Sequence, residues 1–267
     1  KEEAIDILKE IESSKKDRIQ KLFNEGYPSY VTSAGWLGYS DKKIKKLCLE
    51  AFKNGFNHVK LKVGKNLQDD IRRLSVVRET LGDDIKILLD ANQVWEVNEA
   101  IEWMKELSKF KPFFIEEPTS PDDILGHKKI KDAIHPIKVA TGEAVQNRII
   151  FKQLIAHRAI DIIQIDVCRM GGINEALAVQ LIGKKFNLPI WPHAGGVGLC
   201  EYVQHLAMID YVSISGQKSD NVIEYVDHLH EHFVNPVILK NANYMPPDKP
   251  GFSIDLKPYV FSDYLFK

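Results

Sequence analysis

The sequence predicts an α/β fold in which parallel strands alternate with helices and close into a barrel of eight units. Three observations predict it. Short runs rich in β-branched and aromatic residues recur along the chain, each followed by a stretch with apolar residues at helical spacing. Start-to-start spacings extend from 21 residues (190 to 211) to 31 (27 to 58), which suits eight compact βα units in roughly 250 residues. No GxGxxG pattern opens the first unit, so the rival architecture, an open doubly wound sheet, lacks its usual nucleotide-binding signature.

In order, the expected strands are 27–32, 58–63, 86–90, 113–116, 138–141, 162–166, 190–192 and 211–214. Between the first two, Ile44, Leu47, Cys48, Ala51 and Phe52 form a helical stripe. Ser40 or Asp41 is placed to cap its start and Gly55 to close it. Ile101, Met104 and Leu107 mark another helix, and further helices are expected at 148–156, 173–186 and, shorter, 198–206. A helix over 5–22 leads into the first strand. The tail beyond Asn235, with "NYMPPDKPGFS", reads as irregular chain packed outside the barrel. The expected organisation is therefore 1–26 as a lead-in segment, 27–234 as the barrel and 235–267 as the tail.

Composition narrows the function classes. Of 267 residues, 36 are Lys or Arg and 37 are Asp or Glu, so a formal charge of −1 gives no electrostatic case for nucleic acid or an anionic membrane. No apolar run approaches the ~20 residues of a membrane helix. Cys48, Cys168 and Cys200 are widely spaced and form no CxxC, which argues against a zinc knuckle or disulfide framework and fits an intracellular, reducing compartment. The opening "KEEAIDILKE" is no signal peptide and reads as mid-protein sequence, with an upstream region expected.

The chemistry concentrates at the predicted strand ends, where a barrel of this kind carries its site. "FNHVKLKVG" places Lys60 and Lys62 on one face of a strand whose other face holds Val59, Leu61 and Val63. Two like charges in an apolar run call for strong negative charge nearby. The next strand ends supply it: "KILLDAN", "FFIEEP", "KVATGE" and "IIQIDVC" bring Asp90, Glu116, Glu143 and Asp166, and "IWPHAGG" brings His193. Glu224 follows the eighth unit. Asp90, Glu116 and Glu143 make a hard-oxygen set suited to Mg2+, whereas zinc would want more histidine or cysteine. The cation and Lys60 would together press Lys62 towards its neutral, basic form.

Each motif also has a plainer account. A lysine pair on a strand is commonly a solvated edge, and "EEP" or "ATGE" alone commonly begins a loop; order and apolar flanks argue otherwise here. Glu117 is read as a structural hydrogen-bonder, Asn92 as support for Asp90, and Cys168 as a small core residue. "GGVG" leaves open a phosphate cradle at a helix N-terminus. "DHLHEHF" does not put a strong ligand set on one helical face, and "KEIESSKKDR" reads as a solvated helix face.

Beyond these strand ends, "GYPSYVTSAGWLGYSD", "KLKVG", "LLDANQVW", "FFIEEPTSPDDILGH", "ATGE", "QIDVCRMGGINE", "PHAGGVGLCEYVQH" and "EYVDHLHEHF" carry a resemblance. The chain resembles the enolase superfamily in its mandelate-racemase-like branch, and within that branch the L-fuconate dehydratases. The superfamily is an established case of a Lys or His base working with magnesium, so the mechanism is implied by the resemblance.

The resemblance implies a TIM-like (β/α)7β barrel beside an N-terminal α+β capping domain, of which the lead-in helix is expected to be the last part. It implies Lys62 as the base, Lys60 and Glu224 as substrate contacts, and Asp90, Glu116 and Glu143 as Mg2+ ligands. Asp166 orients His193, and His193, Ala194 and Gly195 meet the acid-sugar chain. The implied reaction removes the C2 proton of L-fuconate through an enediolate and expels the C3 hydroxyl, giving 2-dehydro-3-deoxy-L-fuconate and water. Another sugar-acid dehydratase, a racemase or a non-catalytic barrel stay open as alternatives, as does a homo-oligomer. A mitochondrial location follows from the resemblance alone.

Overall fold

The computed structural model describes residues 2–218 and 221–265. Strands β1 (Tyr27–Gly35), β2 (His58–Lys62), β3 (Lys86–Asp90), β4 (Phe114–Glu116), β5 (Lys138–Thr141) and β6 (Ile162–Ile163) pair in chain order, each parallel to the next. Residues 190–192 continue the ring: Ile163 bridges Ile190, and the amides of Trp191 and His193 donate to the carbonyls of Ile163 and Ile165. Strand β7 (Ile223–Tyr225) completes it. Its Glu224 amide donates to Pro192, and its residues pair in parallel with Ser29, Tyr30 and Val31 of β1. The ring is closed, as the alternation of strands and helices predicts.

The eighth strand is not where the spacing puts it. Residues 211–214 lie in a wide helical turn, Asp210–Ser215, that continues the preceding helix, and the closing strand is Ile223–Tyr225. Alternating Tyr, Ser and Ile made 211–214 strand-like, but Tyr211 and Ile214 bury their side chains from a helical backbone instead. Glu224 therefore stands within the eighth strand rather than after it.

Outside the ring run α1 (Glu2–Glu10), α2 (Lys15–Glu25), α3 (Asp41–Lys53), α4 (Leu67–Leu81), α5 (Val97–Leu107), α6 (Ile124–Ile134), α7 (Arg148–Ala156), α8 (Ile173–Lys185) and α9 (Leu199–Ile209). Side-chain caps start several of them. Ser40 accepts from the Lys43 amide, and Asn66, Asp123 and Asn147 cap α4, α6 and α7 in the same way, each contributing about 1 kcal/mol. In α3, Ile44, Cys48 and Ala51 are buried as the stripe predicts, but Phe52 is 59% exposed. The lead-in helix is broken, with a 3-10 turn at Glu12–Ser14 dividing α1 from α2. Arg18, inside the supposedly solvated face, is buried and donates to the carbonyls of Val212 and Ile11.

The tail is more ordered than its prolines suggest. β8 (Leu239–Lys240) and β9 (Asn243–Tyr244) form an antiparallel hairpin, β9 pairs antiparallel with the start of β1, and α10 (Pro258–Asp263) follows.

Strand alternation builds two apolar layers. Val59, Leu61 and Val63 face outward and pack in one cluster with Ile44, Cys48 and Leu74 of the surrounding helices. Tyr30, Leu88, Phe114, Ala140, Ile162, Trp191 and Val222 face inward and form a separate cluster that plugs the barrel beneath its polar mouth. Fully burying each large apolar side chain contributes roughly 1.5–3 kcal/mol, so the inner plug is a rigid floor for whatever stands on it.

Candidate active site

Ladder register sets the site. Lys62 is opposite Asp90 across β2 and β3, and Asp90 is opposite Glu116 across β3 and β4. Three chemistry-bearing side chains thus stand at one level of adjacent strands. Glu143 follows β5 in a turn at Gly142, where φ is 145° and an added Cβ would meet the Gln164 carbonyl at 2.5 Å, so the turn requires glycine. One oxygen each from Asp90, Glu116 and Glu143 lies within 4.8 Å of the others, the single such trio of potential ligands found among the described residues.

The lysines point inward, as predicted. Lys60 is 1% exposed, and its Nζ lies 2.9 Å from both Glu116 oxygens, 2.8 Å from Glu224 Oε1 and 3.4 Å from Asp90 Oδ2. Burial opposes its charge, but Glu116, Glu224, Tyr30 and Asp90 outweigh that and hold the ammonium well above the usual lysine range. Lys60 is therefore a fixed cation, suited to a carboxylate partner. Lys62 Nζ sits tightly against Asp90 Oδ2 and 5.8 Å from the centre of the half-open Trp36 ring.

His193 faces these groups from the seventh segment. Its Nδ1 is 2.8 Å from Asp166 Oδ2, which turns Nε2 towards the mouth, 3.3 Å from Glu143 Oε2 and 3.8 Å from Glu224 Oε2. Burial pushes the imidazole down, but the Asp166 hydrogen bond and the carboxylates of Glu224 and Glu143 outweigh it and raise it to about 9. His193 thus holds a proton at neutral pH. The Asp166 carboxylate is itself fixed by the Cys168 amide, 2.7 Å from Oδ1; Cys168 is exposed, contrary to the expectation of a core residue. The Ala194 amide donates to Glu224 Oε2 at 2.9 Å, and the Gly195 amide lies 3.2 Å from His193 Nε2.

Several participants escape a reading of strand ends. Thr32 donates to Glu224 Oε1 at 2.6 Å, fixing that carboxylate with Lys60; its period-two relation to Tyr30 was the available signal. Glu117 adopts φ 44° and accepts from Gln93 Nε2 at 2.7 Å, as a structural hydrogen-bonder should. Burial and then the Glu143 carboxylate push it up to about 7. Asn92 supports Asp90 through its backbone amide, 2.9 Å from Oδ1.

Charge balance gives a test of whether a cation fits. Burial and then the Asp90 carboxylate raise Glu116 well above its ordinary range, while for Asp90 the charges of Lys60 and Lys62 outweigh burial and lower it. Glu117 Oε2 and Glu143 Oε2 are buried and make no hydrogen bond. Crowded carboxylates with unsatisfied oxygens and no thiolate among them fit a hard divalent cation held by Asp90, Glu116 and Glu143. A closed parallel barrel thus carries at its mouth a carboxylate trio that could hold a hard cation, flanked by a lysine and a carboxylate-oriented histidine, two groups able to exchange a proton.

Comparison with known proteins identifies the family. The profile described as "Enolase C-terminal domain-like" matches residues 43–260, and the chain belongs to the enolase superfamily. The crystal structure of human mitochondrial enolase superfamily member 1 superposes with a TM-score of 0.95 at 53% identity, covering 97% of this chain and 59% of that one. L-galactonate dehydratase of Hypocrea jecorina is 55% identical, over 98% of this chain and 59% of its own length. L-talarate/galactarate dehydratase from Salmonella typhimurium LT2, liganded with Mg and L-lyxarohydroxamate, gives a TM-score of 0.79 at 29% identity, covering 94% of this chain and 62% of that one. The chain spans between 58% and 60% of the length of its first curated relatives.

Proposed function

We propose that this chain carries the active site of a magnesium-dependent sugar-acid dehydratase, a hydro-lyase whose substrate is L-fuconate and whose products are 2-dehydro-3-deoxy-L-fuconate and water. The observation that carries this reading is the placement of Lys62 and His193 on the two flanks of the Asp90, Glu116 and Glu143 trio: Lys62 touches Asp90, and His193 lies 3.3 Å from Glu143. The dehydratase names among the relatives support it.

In this reading Lys60 and Glu224 orient the substrate, Lys60 as a fixed positive charge at its carboxylate. Lys62 takes the proton from C2. His193, kept protonated by Asp166, gives its proton to the departing C3 hydroxyl, which leaves as water, and the enol product ketonises. The backbone at Ala194 and Gly195 lies beside the acid-sugar chain. When bound, magnesium would supply positive charge against the charge that builds on the substrate carboxylate. Each general acid or base step contributes ~10²–10⁴-fold.

The division into a catalytic barrel at 27–234 with appendages at 1–26 and 235–267 belongs to the same proposal, as does a mitochondrial setting. The human relative's name and the three free cysteines support the latter. No helix among the described residues is long and apolar enough to cross a membrane. A second reading has L-galactonate as the preferred substrate, favoured by the Hypocrea jecorina relative. A panel of acid sugars assayed with magnesium for 2-keto-3-deoxy acid separates these. L-fuconate should give the highest kcat/KM; a higher value for L-galactonate selects the second reading, and no product from any acid sugar overturns both.

A further inference from the structure

We propose that Arg73 is a positioning residue for Lys62, working with Asp70 as a clamp on the outer side of β2; the inference rests on Lys62 being the base of the reaction proposed above. Arg73 and Asp70 lie three residues apart on α4, and both are 0% exposed. Arg73 Nη2 donates to the Lys62 carbonyl at 2.6 Å, and Nη1 to the Gly35 carbonyl at 3.4 Å. Asp70 pairs with Arg73 through Oδ1, while its Oδ2 accepts from the Gly64 amide at 2.8 Å and from Trp103 Nε1 at 3.2 Å.

The reason for this pair lies in the ladder. On its β3 side the end of β2 is held in the ordinary way, the Val63 amide donating to Asp90 at 2.8 Å. The Lys62 carbonyl and the Gly64 amide point the other way, towards β1. There β1 ends at Gly35, which pairs with Leu61, so the ladder offers them no further rung. One buried ion pair replaces the lost rungs, taking the carbonyl with its cation and the amide with its anion. The guanidinium suits the task because its rigid planar fork reaches two strand-end carbonyls and the Asp70 carboxylate in one fixed geometry, which a rotatable ammonium on a flexible stem does not impose.

A buried ion pair is a weak device for stability, since desolvation offsets much of its attraction. Its placement here fixes the backbone that follows the Lys62 Cα, from the Lys62 carbonyl to the Gly64 amide. An error of about 1 Å at a reacting group can lower a rate by ~10²-fold, so the backbone of Lys62 is a point where rigidity affects turnover.

The test is R73K, which keeps the charge and loses the fork, assayed in the full-length protein with magnesium beside R73M and the unaltered protein. We expect kcat to fall about 10- to 100-fold in R73K with KM changed less than about threefold, and R73M to be no better. Magnesium affinity by calorimetry should be unchanged. A wild-type kcat in R73K overturns the inference, as does a loss of magnesium affinity in step with kcat, which would mean general loosening. If R73K does not fold, D70N must show the same split. Amide exchange of Gly64 judges the clamp apart from activity. It should be slow in the unaltered protein and at least about tenfold faster in D70N; rapid exchange in the unaltered protein overturns the clamp. Absence of acid-sugar turnover in the unaltered protein would sink the functional reading and leave the exchange test standing.

Discussion

Lys62 and Asp90 stand directly opposite one another in the ladder between β2 and β3, with the ammonium of the first against Oδ2 of the second. The proposed base is thus bonded to a proposed metal ligand. An oxygen engaged with a cation cannot serve the ammonium equally well, so the Lys62 ammonium and a bound cation would compete for Asp90 Oδ2. Replacing Lys62 by Gln should lower dehydration by ~10³-fold or more while leaving magnesium affinity at least as high as before. Calorimetric titration beside the product assay checks both halves; a marked loss of affinity in K62Q would contradict this account.

Removal of a ligand should act the other way. Glu143 is the one member of the trio supplied by a loop, and its Oε2 makes no hydrogen bond. E143Q should weaken magnesium binding by at least tenfold, about 1.4 kcal/mol, and should lower thermal stability only slightly, through loss of the carboxylate charge 3.3 Å from His193 Nε2. Chelation by EDTA should abolish turnover in the unaltered protein, and added magnesium should restore it.

The pH dependence of turnover should report His193. Held protonated up to about 9 by Asp166, Glu224 and Glu143 against the effect of burial, it can act as an acid throughout the neutral range. Activity should fall as pH rises through the basic limb. D166N removes the hydrogen-bond acceptor that favours the charged form, so the limb should move to lower pH by about a unit or more. A kcat profile whose basic limb is identical in D166N and the unaltered protein would detach the histidine from that role.

Much of this was legible in the sequence, and for definable reasons. Period-two burial exposed Lys60 and Lys62 as anomalies in an apolar strand, and each following strand ended on an acid, so order alone located the trio. The eighth strand was not legible. Residues 211–214 carry the alternation of a strand, yet they extend α9, while Glu224 in the true strand looks unsuited to burial until Thr32, Lys60 and the Ala194 amide are brought to it. Arg73 and Asp70 were hidden for the same kind of reason. On a helix with acidic and basic neighbours they resemble a solvated pair, and only the end of β1 at Gly35, which leaves the tip of β2 without a partner there, gives them a buried task.

Stability should carry a separate signature from His58, at the opposite end of the barrel from the site. Burial, with the Lys86 charge as a smaller cause, lowers it from the ordinary 6.5 to about 4. A depressed value means that its contribution is present above pH 6.5 and is lost as pH falls towards 4. That loss is about 3 kcal/mol by pH 4. Denaturant midpoints at pH 7 and pH 4.5 should drop less in H58Q than in the unaltered protein; equal drops would show that His58 does not drive the change.

The division of labour between Lys62 and His193 is the centre of this account, and isotope exchange in H193N tests it most directly. Incubated in deuterium oxide with magnesium and L-fuconate, H193N should exchange the C2 proton at a rate within about tenfold of normal while forming almost no 2-keto-3-deoxy acid. Loss of exchange together with dehydration, in a protein that still binds magnesium normally, would contradict it.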